Sequence, residues 1–243
     1  VSAMTEVLTK EYGNPSSLHS MGADAEKLIK KSRRSVANLL GANEREIIFT
    51  SGGTEANNLA IRGAVDTLER YGNQIITTKI EHASVLAPLQ RLEEEGWDVV
   101  YLDVDSVGRV DTKQLAEAIS EETVLVSIMY VNSEVGTIQP IDEIIEIIRE
   151  YRSSELYLHV DAVQAVGKLD LELSNSEIDL LSLSSHKLHG PKGCGVLYAN
   201  RDARLNAQLL GGHQELGYRA GTENVPGIVG CGQAVELLQD NLV

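Results

Sequence analysis

The chain is poor in several things, and each shortage closes a possibility. Positive charge is scarce: 21 lysines and arginines stand against 36 aspartates and glutamates, a formal balance of −15. An acidic surface of this kind argues against sequence-independent nucleic-acid binding and against docking on anionic membranes, although a local basic pocket is compatible with it. No apolar run approaches the roughly 20 residues that a membrane-spanning helix needs. No basic flank followed by an apolar stretch marks a secretory signal. There are only two cysteines, Cys194 and Cys231, with neither CxxC spacing nor the pattern of a disulfide framework. A reducing cytoplasm is the simplest setting for them, and both read as small structural hydrophobes. Internal repeats, low-complexity tracts and Pro-rich linkers are missing, which leaves one domain. Neither a Walker loop nor a G-x-G-x-x-G fingerprint occurs, so nucleotide readings lose support.

What is present is a regular alternation. The chain is 42% apolar, enough for a large core at 243 residues. Runs rich in Val, Ile and Leu predict strands over Glu46–Thr50, Gln74–Thr77, Asp98–Leu102, Val124–Tyr130, Leu156–Val160, Ile178–Leu183 and Cys194–Ala199. Between them, amphipathic stretches predict helices over Ala23–Leu40, Glu55–Tyr71, Ser84–Glu95, Thr112–Ser120 and Ile141–Tyr151. Strands without polar alternation suit burial on both faces, so the expected fold is a three-layer α/β/α arrangement around a mostly parallel sheet of about seven strands. Val1–Lys10 already reads as the body of a helix. Gly230–Val243 carries Val235, Leu237, Leu238 and Leu242 in a helical pattern without a stop signal, so the chain reads as part of a longer polypeptide.

In open sheets of this kind ligands sit at the carboxyl ends of strands, which makes the residues just past each strand the ones to weigh. After Ile47–Thr50 comes Ser51-Gly52-Gly53-Thr54-Glu55, opening a helix. Its glycines and free amides suit a phosphate, or equally a simple turn with Thr54 as cap. His82, after Thr77-Thr78, either lies face-on against a planar ring or caps the next helix. Asn132 either donates to a ligand oxygen or closes an Asx turn ahead of Gly136. Asp161 ends a very apolar strand and needs a partner there. A protonated ring nitrogen, an arginine or a helix terminus would each serve. Lys187 follows Leu180–Ser185 at the mouth of a strand, pinned by the Gly190-Pro191-Lys192-Gly193 turn. A partly desolvated amine at this place is a nucleophile for a carbonyl cofactor, and the alternative is a loop lysine.

These pieces occur in a recognisable order: Asn14-Pro15-Ser16-Ser17, Thr50-Ser51-Gly52-Gly53-Thr54-Glu55, Glu81-His82, the Asn132–Gly136 loop, His159-Val160-Asp161-Ala162, Ser184-Ser185-His186-Lys187 and Arg219-Ala220-Gly221-Thr222. Together they resemble the NifS/IscS-like cysteine desulfurases, which are fold-type I, aspartate aminotransferase-like enzymes of pyridoxal 5'-phosphate (PLP). The resemblance spans essentially the whole chain, read as a PLP-binding large domain over residues 1–243, without the N-terminal segment and the small C-terminal domain of the family.

The resemblance implies that Lys187 binds PLP covalently, that Asp161 pairs with the pyridine nitrogen, and that His82 stacks on the ring and moves protons. It implies that Asn132 and Gln164 contact the phenolic oxygen and that Gly53, Thr54, Ser184 and His186 hold the phosphate. Thr222 would complete the phosphate site of a neighbouring subunit in a homodimer. The implied reaction takes sulfur from L-cysteine, leaving L-alanine and an enzyme persulfide that feeds an iron–sulfur scaffold or another sulfur acceptor. The family's persulfide cysteine and carboxylate-binding arginine lie beyond this chain. No metal ligand set is expected. Selenocysteine lyases and aminotransferases share the lysine and aspartate, and a non-catalytic scaffold retaining the fold is a third reading. Lys192 is the nearby rival for Lys187.

Overall fold

The computed structural model describes residues 1–151 and 155–239. Among these residues seven α-helices, α1 (Ser2–Thr9), α2 (Ser20–Leu40), α3 (Gly53–Leu68), α4 (Ala83–Glu94), α5 (Thr112–Ala118), α6 (Ile141–Tyr151) and α7 (Val225–Gln239), surround seven strands. These are β1 (Ile47–Thr50), β2 (Gln74–Thr78), β3 (Asp98–Leu102), β4 (Thr123–Met129), β5 (Tyr157–Asp161), β6 (Leu180–Ser184) and β7 (Gly195–Ala199). They form one sheet in the order β1-β7-β6-β5-β4-β2-β3. The five central and far strands run parallel, whereas β7 lies antiparallel between β6 and β1.

Every residue of β1, β4, β5, β6 and β7 is buried, as unbroken apolar runs require. Because side chains alternate along a strand, the sheet feeds two cores. Ile47, Phe49, Val126, Ile128, Val160, Leu183 and Val196 pack with α1, α2, α5, α6 and α7 on one face. Ile48, Leu125, Tyr157, Leu180 and Leu197 pack with α3 and α4 on the other. The three-layer expectation therefore holds.

The differences from the sequence reading lie at element ends. Glu46 belongs to a single 3-10 turn, where its carboxylate caps the Asn43 backbone, and β1 starts one residue later. Helix α2 begins at Ser20 because His19 accepts from the Gly22 N–H, and it stops at Gly41 in a left-handed conformation. Helix α7 begins at Val225 rather than Gly230. Pro226 sits in its first turn, where a missing N–H costs nothing. Leu242 lies outside the described residues.

The face covered by α3 and α4 changes character toward the carboxyl ends of the parallel strands. Ser127, His159 and Ser182 form a buried polar row across β4, β5 and β6. The His159 ring nitrogens lie 2.8 Å from Ser127 Oγ and 3.0 Å from Ser182 Oγ. Burial pushes the His159 imidazole down to about 3, so it sits there neutral. One step further along each strand come Met129, Asp161 and Ser184, which form a floor.

Candidate active site

Above that floor lies a cavity of about 300 Å³. Gly53, Thr54, His82, Asp161, Gln164, Ser184, His186 and Lys187 line it together with Asn57, Ser84, Ser133 and Glu134. The structure thus brings together the residues that the sequence separates by more than half the chain. Two expected site residues do not line it: Asn132, and Thr222, which is expected to serve a neighbouring subunit. Asn132 closes an Asx turn, its Oδ1 accepting from Glu134 N–H at 2.9 Å and Val135 N–H at 3.0 Å, and its Nδ2 donates to the Ile80 carbonyl at 3.2 Å. Its loop, rather than its side chain, reaches the cavity through Ser133 and Glu134. Thr222 is exposed on the loop ahead of α7 and does not line this cavity.

Helix α3 aims its N-terminus into the cavity at Gly53 and Thr54, and its cap residue, Gly52, has no side chain to satisfy the first amides. That leaves the positive end of the dipole for an anion. Here β7 must come very close: a Cβ on Gly195 would sit 2.4 Å from the Gly52 carbonyl carbon. Gly195 is therefore the residue that lets the antiparallel strand tuck under the anion-facing turn. Glu55 locks the turn from outside, accepting from Ser51 N–H at 3.0 Å and from Arg219 Nε at 2.8 Å. Burial alone would raise its carboxyl, but Arg219 and Ser51 hold it below the ordinary value. This ion pair also anchors the loop that carries Thr222.

Asp161 is only 6% exposed. Its Oδ1 accepts from Val163 N–H at 3.0 Å and its Oδ2 from Asn57 Nδ2 at 2.8 Å. Burial pushes the carboxyl upward, against those two hydrogen bonds and the nearby His82. Both donors are neutral, so the carboxylate faces the cavity without a cationic partner of its own. A protonated ring nitrogen would supply one, which is the fit that a pyridine cofactor requires.

His82 caps α4, as one of its two readings expects, with Nδ1 accepting from Ser84 N–H at 3.1 Å, and the residue also lines the cavity. Glu81, beside it, is buried and accepts at Oε1 from Thr78 Oγ1 at 2.7 Å and Met129 N–H at 2.9 Å. Burial raises its carboxyl to about 8, so it is largely protonated at neutral pH. It ties the loop before α4 to the end of β4.

Lys187 corrects one expectation. The sequence suggests a partly desolvated amine, but the side chain is exposed. Residues Ser185–Leu188 make a 3-10 turn that ends at His189 with a φ of 62°, which buries Ser185 and Leu188 and swings His186 and Lys187 outward over the cavity. Ser184 Oγ and His186 Nδ1 lie 2.8 Å apart across the same turn. Lys168, whose amine donates to the Gln164 carbonyl at 3.0 Å, is pushed down by burial and by the Lys187 charge. Lys192 is exposed and does not line the cavity.

Comparison with known proteins identifies the family. The model of the aminotransferase class-V family matches residues 1–242. The chain belongs to that family. Within it, the chain is 50% identical over 242 residues to cysteine desulfurase 2 of Trichormus variabilis, covering 100% of this chain and 60% of that protein. A solved NifS-like protein superposes with a TM-score of 0.96 at 42% identity, covering 99% of this chain and 66% of that one. A structure described as SspA in complex with cysteine gives a TM-score of 0.90 at 42% identity, covering 97% of this chain and 67% of that one. The aminotransferase class-V chain described here spans about three fifths of the length of the curated relatives it matches.

Sequence reading missed Asn57 and Ser84 as site-building residues, because attention to strand ends passes over the first turns of helices, and it gave Glu81 no role although Glu81-His82 follows a strand end. A signal existed for Asn57. It shares the apolar face of α3 with Ala60, Ile61 and Ala64, and an asparagine on such a face demands a buried partner.

Proposed function

We propose that this chain is the cofactor-binding large domain of a PLP-dependent cysteine desulfurase. The observation that carries the reading is that Lys187 and Asp161 line one cavity beneath the N-terminus of α3. When bound, PLP supplies an electron sink for charge developing at the substrate α-carbon. Gly53, Thr54, Ser184 and His186 hold its phosphate at the helix N-terminus. Asp161 keeps its ring nitrogen protonated, Gln164 meets the phenolic oxygen, and Lys187 retains it through the amine. Asn132 shapes the loop that closes the cavity at Ser133 and Glu134. Lys187, exposed and on a short turn, has the freedom to move a proton at the substrate α-carbon, and His82 lies within the same cavity to share that work.

Cysteine as substrate is supported by the relatives' names. The complete protein would transfer sulfur from L-cysteine to a thiol, giving L-alanine and a persulfide for an iron–sulfur scaffold or another acceptor. Cys194 and Cys231 are both buried away from the cavity, so we assign that thiol to another part of the protein. Exposed Thr222 serves a second copy of the chain in a homodimer, and the two free cysteines suit a reducing cytoplasm. The purified full-length protein should show the visible absorption band of lysine-bound cofactor, and Lys187→Ala should abolish it. A band that survives that substitution would move the assignment to Lys192 or another lysine, and absence of any band in PLP-supplemented protein would refute the reading.

A further inference from the structure

Asn57 has no role in the reading above, yet it sits at the centre of the site's hydrogen bonding. It is 1% exposed. Its Nδ2 donates to Asp161 Oδ2 at 2.8 Å and to Ser84 Oγ at 2.8 Å, while its buried Oδ1 has no partner. Ser84 Oγ in turn lies 2.8 Å from His82 Nδ1, the nitrogen that also accepts from Ser84 N–H at 3.1 Å. A continuous hydrogen-bonded path therefore runs from Asp161 through Asn57 and Ser84 to His82.

The proton positions along this path follow from donor and acceptor inventory. Both amide hydrogens of Asn57 point at acceptors. Turned over, the amide would set Oδ1 against the Asp161 carboxylate, acceptor against acceptor. Since Ser84 Oγ already accepts from Asn57, its single hydrogen is free for His82 Nδ1. That nitrogen then accepts twice and carries no proton, so the neutral ring keeps its proton on Nε2.

We propose that Asn57 and Ser84 are positioning residues that couple the tautomer of His82 to the charge of Asp161. With the carboxylate ionised, the amide donates toward it and His82 holds the Nε2–H form. With that charge removed, the amide turns. Oδ1 then accepts from residue 161 and from the Ser84 hydroxyl, and Ser84 Oγ accepts from Nδ1–H. The free lone pair moves to Nε2, the Ser84 N–H gives up its cap on Nδ1, and Nδ2 takes the buried place that Oδ1 held, losses that weigh against this state and keep it the minor one while Asp161 is charged. The ring proton changes nitrogen and no net proton is gained. Asp161 and His82 sit at opposite ends of a two-state relay built of Asn57 and Ser84. The significance for catalysis rests on the function proposed above, but the relay itself belongs to the protein.

The test is nitrogen-15 NMR of the histidine rings in the full-length protein with cofactor removed, at an alkaline pH where the imidazole is neutral. The His82 signals are identified by their loss in His82→Gln. Wild type should show mainly the Nε2–H form. In Asp161→Asn the new carbonyl stays with Val163 N–H, which donates to Oδ1 at 3.0 Å in the native protein, so the new amide nitrogen faces Asn57 and demands its oxygen. The tautomer ratio should move toward Nδ1–H by about fivefold, the change expected when a charge-assisted hydrogen bond gives way to a neutral one. The same substitution in an Asn57→Leu background should leave the ratio essentially unmoved, and Ser84→Ala, a smaller perturbation of the fold, should do likewise. An unchanged ratio in Asp161→Asn overturns the proposal. So does an equal shift with and without Asn57 and Ser84, because that would be the field of Asp161 acting through space. No cofactor takes part, so this result and the absorption test above fail independently.

Discussion

The most exposed consequence of the fold concerns Arg33 and Glu215, a pair joined across the sheet edge. Arg33 donates to both Glu215 oxygens, at 2.9 Å and 2.8 Å, and the two side chains are 13% and 2% exposed. Glu215 Oε2 also accepts from Phe49 N–H at 2.8 Å, and the guanidinium lies 4.9 Å from the Phe49 ring centroid. The loop pays for this arrangement with two non-glycine residues in the left-handed region, Glu215 at φ 45° and Leu216 at φ 61°. Arg33→Met keeps most of the buried volume but strands the carboxylate, a loss of about 3–5 kcal/mol for a broken buried pair. For a chain of this size that corresponds to a fall in Tm of about 6–20 °C. Thermal unfolding followed by far-ultraviolet circular dichroism measures it. Adding Glu215→Gln keeps an acceptor for Phe49 N–H and removes the stranded charge, so the double variant should regain at least half of the loss. A fall of less than about 3 °C in Arg33→Met, or a double variant no better than the single one, would refute the reasoning.

Three further outcomes are expected. Glu81 has its carboxyl raised to about 8 by burial, against 4.5 when solvated, so its contribution to stability is full below pH 4.5 and is lost as pH rises toward 8. Glu81→Gln keeps the Oε1 acceptor and should flatten that decline in denaturant titrations across the window; an unchanged slope would show that Glu81 does not carry it. Gly195→Ala should displace the Gly52 turn and weaken PLP binding by at least about tenfold in a spectroscopic titration, and unaltered affinity would contradict the close approach. Cys194 and Cys231 are buried, and the hydrogen bond between them together with burial pushes the Cys194 thiol far up, so neither should react with a thiol reagent until the protein unfolds.

Much of this molecule can be read from its residues because its strands are buried on both faces. Ile75–Ile76 or Leu156–Val160 leave no alternative to a covered, largely parallel sheet, and the polar residues that follow such runs, Asp161 and Ser184 among them, become the floor of the cavity. The direction of β7 is not written in the same way. Val196–Tyr198 is equally apolar in either orientation, and only the short link through the Gly190–Gly193 turn forces the chain back beside β6. The exposure of Lys187 was hidden for a related reason, since it depends on the left-handed backbone at His189, a residue that gives no glycine signal. Asn132 carries an Asx-turn signature and a ligand signature in the same residue, and pattern alone does not separate them. The contacts of Asn57 depend on how two helices and a strand end converge, which no local window contains.

The antiparallel strand has a consequence for how the protein is made. Among the described strands β1 pairs with β7 alone, with Ile47 opposite Tyr198 and Thr50 opposite Gly195. During synthesis, β2 to β6 can assemble in order as they leave the ribosome, while β1 waits as an open edge for a partner made much later. The glycine turn at its end takes its working shape only after that late insertion. A nascent chain halted just short of Gly195 would hold most of a core and still lack the finished anion-facing turn, so this end of the cavity is completed after the sheet's centre rather than before it.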